Sequence, residues 1–270
     1  MFFKNWSQYY RWDDNRSYGD KVSDYIVFPN APITEAILDI RAELPDGVDL
    51  STFEEFQENI KDRFQERKTR HSYQAEFKFT PGKEESAPII PKGGADGYFF
   101  RSTNENKVVQ TRLDGFSFNK LKPYEDWAKF STEAFHLWQL YKGITKPIRV
   151  IRIALRYINR IEIPTHFADF NEYILTNPQI APGLPQALAH FFMRIEVPND
   201  EIGAMAIITE TLQKPTELGK LPLIFDIDVV KRDSYTGDMT EIWPDFEQLR
   251  AFKNAIFFNS ITEKTKELFK

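Results

Sequence analysis

Apolar and polar residues alternate along the first regular segment of this chain. Apolar side chains occupy the even positions from Ala36 to Leu44, and charged side chains occupy most of the odd positions between them. A period of two is typical of a β-strand that buries one face. The pattern therefore predicts a half-buried strand, which ends at Pro45-Asp46-Gly47.

The segment after this turn changes to helical spacing, with apolar residues at Phe53, Phe56, Ile60 and Phe64. Ser51 and Glu54 have the spacing of a capping box, which predicts the start of the helix. Cations near the end of a helix suit its dipole. We therefore expect the helix to end in the basic cluster formed by Arg67, Lys68 and Arg70.

The same two periods divide the rest of the chain. Strands are predicted over residues 98–101, 108–118, 148–163, 191–197, 204–212 and 221–230. Helices are predicted over 127–141, which Gly143 closes, at a short segment with Phe167, Phe170 and Ile174, and after Asp245. Two stretches rich in proline and glycine, 80–97 and 176–188, predict loops.

The order of these elements occurs twice. Leu44-Pro45 precedes Phe53-x-x-Phe56-x-x-x-Ile60, and Ile163-Pro164 precedes Phe167-x-x-Phe170-x-x-x-Ile174. We predict an α+β fold in which two diverged strand-helix-strands-helix units form a largely antiparallel curved sheet with helices on one side. The predicted parts are an aromatic N-terminal arm at 1–28, a first unit at 29–145 and a second unit at 146–270, either separate or fused into one domain.

The element order resembles the duplicated arrangement of TATA-binding-protein-like folds. This resemblance implies that the first strands of the two halves lie side by side at the centre of the sheet. It concerns element order and implies no DNA binding.

Composition narrows the classes of function. With 41% hydrophobic residues among 270, the chain can bury a full core, and a formal charge of -5 gives no overall attraction to nucleic acid. The cysteine count of 0 excludes disulfides and thiol chemistry. The first residues lack the features of a signal peptide and no apolar run reaches the length of a membrane span, so we predict a cytoplasmic protein without a membrane partner.

Three arginines share one face of the long strand at 148–163. Arg152, Arg156 and Arg160 all lie at even positions, and Glu35, Asp39 and Glu43 share one face of the first strand. If the two strands pair, these acids are candidate structural partners of the arginines. The other interpretation is an anion-binding site, because arginine is suited to bidentate recognition of phosphate or carboxylate.

Signals for catalysis are weak. Asp226 and Asp228 place two carboxylates on one strand face, as a two-metal site for phosphoryl transfer requires, but a solvated strand gives the same pattern. Glu210 on the preceding predicted strand is a candidate neighbour. The histidines, His71, His136, His166 and His190, show no metal-ligand spacing, and His136 is expected in the core or at its boundary. We predict no metal and no cofactor.

Two longer stretches carry a family resemblance. Residues 28–36, Phe-Pro-Asn-Ala-Pro-Ile-Thr-Glu-Ala, and residues 155–161, Leu-Arg-Tyr-Ile-Asn-Arg-Ile, resemble the signatures of a sporadically distributed bacterial family of uncharacterised proteins of about this length. The resemblance covers nearly the whole chain after the arm. It supplies no catalytic residues, and the patchy distribution implies accessory genes such as those of defence loci.

These observations leave three hypotheses about function. The first is a non-enzymatic binding or assembly protein that contacts another protein, or a second copy of itself, through its sheet face, loops or aromatic arm. The second is a phosphate- or nucleotide-handling enzyme that uses the arginine ladder with Asp226 and Asp228. The third is nucleic-acid binding on the sheet through local basic contacts.

Overall fold

The computed structural model describes residues 26–72, 94–186, 188–215, 217–236, 240 and 242–270. Most of the predicted arm and most of the loop predicted at 80–97 lie outside these residues. The strands within them are β1 (Ile33–Glu43), β2 (Glu66–His71), β3 (Ala95–Arg101), β4 (Lys107–Arg112), β5 (Gly115–Leu121), β6 (Arg149–Pro164), β7 (Phe192–Asn199), β8 (Ala204–Leu212) and β9 (Lys220–Lys231). The α-helices within them are α1 (Thr52–Ile60), α2 (Trp127–Thr145), α3 (Ile242–Ser260) and α4 (Glu263–Glu267), and Phe170–Glu172 forms a 3₁₀ turn.

All these strands join one antiparallel sheet in the order β2-β3-β4-β5-β1-β6-β9-β8-β7. The sheet is curved and not closed, which confirms the predicted α+β class. The first strands of the two halves, β1 and β6, pair at its centre, with Leu38 opposite Leu155. Both predicted units therefore contribute to one continuous sheet. The duplication itself stays a prediction.

One face of the sheet is buried under the helices. The even residues of β1 from Ala36 to Ala42 are buried there, as the alternation predicts. Aromatic rings connect the helices to this face. The centroids of Phe116 on β5 and Trp138 on α2 are 6.0 Å apart, and Phe225 on β9 stacks on Phe257 of α3 at 5.9 Å. This aromatic layer accounts for the high phenylalanine content of the sequence.

The opposite face carries mostly part-exposed side chains, and we call it the open face. On the central strands it consists of Glu35, Ile37, Asp39, Arg41, Arg152, Arg156, Ile158, Arg160, Asp226 and Asp228.

In the described part of the chain, no helix is both long and apolar enough to span a membrane.

The basic cluster after α1 does not end a helix. The helix stops at Ile60, and Arg67, Lys68 and Arg70 lie on β2 instead. This strand pairs only with β3 and forms an edge of the sheet, where charged side chains discourage pairing with a second molecule. The prediction was wrong because the pairing partner of β2 comes from a distant part of the chain.

The predicted capping box is also absent. Ser51 has helical backbone angles, whereas a capping residue needs extended ones, and its hydroxyl donates to Asp49 Oδ1 at 2.6 Å. The segment predicted as one strand over 108–118 is a hairpin that turns at Leu113-Asp114, and Gly115 is the first residue of β5. Gly115 has φ +143°, and a Cβ there would lie 2.1 Å from the carbonyl oxygen of Ile40. Only glycine fits this turn without displacing β1.

Two further predictions about helices are corrected. Gly143 lies inside α2, which ends at Lys146 in a left-handed conformation just before Pro147, because proline cannot continue a helix. The segment with Phe170 and Ile174 forms only one 3₁₀ turn. His136 lies on the exposed side of α2, not in the core or at its boundary.

Candidate functional site

A cluster of ion pairs crosses the centre of the open face. It joins β1, β6 and β9 through Asp39, Arg152, Arg156, Asp226 and Asp228, and we call it the charged seam. Strand alternation places all five side chains on the same face, and the register brings residues from three distant segments together.

Asp39 contacts two arginines closely on the β1 side of the seam, and the Nε of a third, Arg41, lies 3.5 Å from its Oδ1. Its Oδ1 accepts a hydrogen bond from Arg152 Nη1 at 2.7 Å, and its Oδ2 lies 2.7 Å from Arg112 Nη2. Arg112 comes from β4 and its side chain is 4% exposed, so it is buried beneath the face. A carboxylate between two arginines satisfies both charges in a poorly solvated position. This is the acid–arginine pairing between β1 and β6 that the sequence predicts.

Asp226 binds Arg156 on the β9 side of the seam through a bidentate fork. Arg156 Nε donates to Asp226 Oδ1 at 2.9 Å, and Nη2 donates to Oδ2 at 2.5 Å. The hydrogen bond to Asp226 raises the pKa of Arg156 above its ordinary value. Arg156 therefore stays charged, and its planar fork is filled by a carboxylate of the same chain.

Asp228 is the least compensated acid of the seam. Its Oδ2 lies 4.0 Å from Arg152 Nη2, which is too far for a hydrogen bond. Burial raises the pKa of Asp228 to about 6, and the opposing effects of Arg152 and Arg156 are smaller. Asp228 is therefore protonated more readily than an ordinary aspartate, because burial disfavours its charged form.

The remaining predicted site residues lie around the seam. Arg160 pairs with Glu162 at 2.6 Å and donates to Gln213 at 2.9 Å. The other two predicted acid partners do not reach the three arginines: Glu35 accepts from Asn119 at 2.7 Å, and Glu43 pairs with Arg149 at 2.7 Å. Of the three acids on β1, only Asp39 contacts the ladder.

Asp226 and Asp228 of β9 lie on the same side of the sheet, as alternation predicts, but their neighbours there are arginines. Glu210 lies opposite Phe225, on the helix side of the sheet, and cannot join Asp226 and Asp228. Across the described residues, no group of three or more histidine, cysteine, aspartate or glutamate side chains is arranged to hold a metal ion. The geometry therefore does not assemble the two-metal site considered from the sequence.

Arg112 is the member of this site that sequence reasoning missed. It stands just before the Leu113-Asp114 turn, and no spacing connects it with the ladder of β6. Only the register from β4 through β5 to β1 places it beside Asp39. The sequence offered no signal for Arg112, because its burial depends on the pairing of distant strands and is not visible in one sequence.

Comparisons with known proteins give no family assignment. No protein-family model matches the chain, and no curated protein matches it significantly.

Proposed function

We propose that this protein is a non-enzymatic binding protein whose open face contacts another protein. The observation that carries the proposal is the internal pairing of the charged seam: Arg152 and Arg156 each already bind a carboxylate of the same chain. Such a face is charge-compensated and held rigid before a partner arrives, which lowers the entropic cost of binding.

The surroundings of the seam suit a protein partner. Ile37, Ile158 and Ile207 are part-exposed on the open face, and Phe192 on the edge strand is 68% exposed. Arginine, methionine and aromatic residues are enriched in the centres of protein interfaces. Strands are about 4.8 Å apart, so the open face is wide enough for the roughly 800 Å² that each partner of a standard interface buries.

The pairing disfavours the enzymatic alternative. A phosphate or nucleotide that used Arg156 would have to displace Asp226 and leave that carboxylate, whose side chain is 11% exposed, without its partner. Leaving this mostly buried carboxylate without a hydrogen-bond donor would cost on the order of 1–3 kcal/mol. Nucleic-acid binding is disfavoured for the same reason, because Lys and Arg side chains neutralise phosphate backbones and Arg152 and Arg156 already bind carboxylates.

Site-specific photo-crosslinking in cells tests this proposal. A photoreactive amino acid is placed at Ile158 or Ile207 on the open face, and at Glu58 or Gln248 on exposed helix surfaces as matched controls. We expect a protein adduct of defined mass from the open-face positions only. Phe192→Asp should weaken the adduct from Ile207, whereas Leu218→Asp, at a fully exposed loop position, should not.

Two results would contradict the proposal. One is crosslinking of equal yield from the helix positions, which indicates random contact. The other is an adduct from Ile158 that nuclease removes, which indicates nucleic acid. The mass of a protein adduct also distinguishes a second copy of this chain from a different protein.

A further inference from the structure

A cavity of about 420 Å³ lies on the helix side of the sheet, opposite the open face. It is enclosed by the stretch 26–33, the first turn of α2, strand β6 and the middle of α3. Its apolar wall is formed by Phe28, Ile33, Trp127, Phe257 and Phe258. The volume is within the range of ordinary ligand pockets.

A buried amine lines this cavity. Lys253 on α3 is only 8% exposed, and its Nζ lies 3.8 Å from the centroid of the Tyr157 ring. Among the described residues it has no carboxylate or other hydrogen-bond acceptor. Burial, helped by the positive charge of Arg250, lowers the pKa of Lys253 to about 7. A buried amine without an acceptor is costly to the fold unless something else supplies one.

A pair of tyrosines adds a second donor. The hydroxyls of Tyr124 and Tyr157 are 2.7 Å apart, so one donates to the other. The proton of the accepting hydroxyl has no acceptor among the described residues. Burial raises the pKa of both hydroxyls well above the ordinary value, so both remain neutral donors.

The acids that line the cavity are engaged elsewhere. Asp126 caps α2 by accepting from the backbone N–H of Lys129 at 2.8 Å, and Glu125 pairs with the Lys129 side chain at 3.2 Å. Arg250 pairs with Glu247 at 3.3 Å. The cavity thus presents an amine and a hydroxyl that both lack an acceptor within the described part of the chain, surrounded by aromatic rings.

We propose that this cavity binds a small organic monocarboxylate with an aromatic or aliphatic body, whose carboxylate accepts hydrogen bonds from Lys253 and from the tyrosine pair. The body packs between Trp127, Phe257 and Phe258. A single negative charge matches the one amine of the lining, since the charge of Arg250 is paired with Glu247. A phosphate brings more charge and more oxygens than Lys253 and the tyrosine pair satisfy.

The two stretches that carry the family resemblance meet at this cavity. Phe28 and Ile33 come from the first stretch, and Tyr157 and Asn159 come from the second. The inference is independent of the open face, because the cavity lies on the other side of the sheet. Failure of either proposal leaves the other unaffected.

Isothermal titration of the full chain with phenylacetate, and with neutral phenylacetamide as the matched control ligand, tests the inference. We expect phenylacetate to bind and phenylacetamide to bind at least about tenfold more weakly, because it lacks the charge-assisted hydrogen bond. Lys253→Met keeps the apolar volume and removes the amine. It should therefore weaken the binding of phenylacetate by about tenfold or more and leave the binding of phenylacetamide unchanged. Lys129→Met, at an exposed lysine of α2, is the control variant.

The pH dependence provides a second readout. The bound carboxylate stabilises the charged amine, so the affinity for phenylacetate should fall about fivefold as the pH rises from about 7 to about 8, and this dependence should disappear in Lys253→Met. Equal affinity for the acid and the amide would overturn the inference, as would an unchanged affinity in a folded Lys253→Met, or the absence of binding at millimolar phenylacetate. Stronger binding of inorganic phosphate than of phenylacetate would also overturn it.

Discussion

Replacing Glu210 with methionine should stabilise the protein, and the gain should grow as the pH rises. Glu210 is completely buried on the helix side of β8, and neither of its carboxylate oxygens has a hydrogen-bond partner among the described residues. It lies opposite Met193 and Phe225 on the neighbouring strands. Burial alone raises its pKa from 4.5 to about 8.

The magnitude follows from the difference between the two pKa values. The unfolded chain releases the proton near pH 4.5, whereas the folded protein holds it up to about pH 8. The folded state therefore binds more protons between these values, and stability decreases as pH rises through this range. The full penalty is roughly 5 kcal/mol above pH 8 and about 3 kcal/mol at pH 7.

Urea denaturation of wild type and Glu210→Met at several values between about pH 5 and pH 8.5 measures this penalty. The difference in the free energy of unfolding should widen with pH and level off above about pH 8. Other titrating groups are common to both proteins and cancel in the difference. Glu196→Met, on the exposed face of β7 with its side chain 50% exposed, is the matched control and should show a small difference at every pH.

A constant difference across this range would refute the reasoning, because it would mean that ionisation of Glu210 costs the folded state nothing. A variant less stable than wild type at pH 8 would refute it as well, since it would mean that the carboxylate is satisfied by a group that stabilises it.

Three further predictions concern the seam, a turn and the cavity. Asp39→Asn should lower the free energy of unfolding, measured by urea denaturation, by about 3–5 kcal/mol because it leaves two arginines without their shared carboxylate. Asp226→Asn should lower it by only about 1 kcal/mol, because Arg156 is 42% exposed and its charge is screened by solvent. Gly115→Ala should lower the free energy of unfolding by at least about 2 kcal/mol because its Cβ meets β1, and Gly47→Ala, also at positive φ but in open space, by only about 1 kcal/mol. Lys253→Met should be more stable than wild type at pH 7, and this difference in stability should shrink as the pH rises to about 10.5. The reason is that the unfolded chain binds the proton that the buried amine has lost. A difference in stability that stays constant with pH would contradict this prediction.

Much of the secondary structure was predictable because its signals are local. The alternation in β1 and the helical spacing in α2 follow from the geometry of a single segment, and the structure has both elements at the predicted places. The strand β2 was missed for the opposite reason. Its residues, Glu66–His71, carry no alternation of buried and exposed positions, and it exists because β3 offers it a partner.

The charged seam shows the same division. Alternation alone placed Arg152, Arg156 and Arg160 on one face, and the structure has them there. The identity of their partners depended on the register of β1 and β9 against β6. For β1, this register joins residues that are about a hundred positions apart in the chain. A shift of one residue would have turned every carboxylate to the other side of the sheet.

The sequence by itself determined elements such as β1 and α2 and which residues of one strand share a face, because these properties depend on neighbours within a few positions. Only the tertiary structure decided that the arginines are paired, that Glu210 is buried without a partner among the described residues and that Lys253 lines an aromatic cavity. Burial and partner choice arise where distant segments converge, and the local pattern around Glu210 or Lys253 is the same whether the side chain meets water, an ion or a ring.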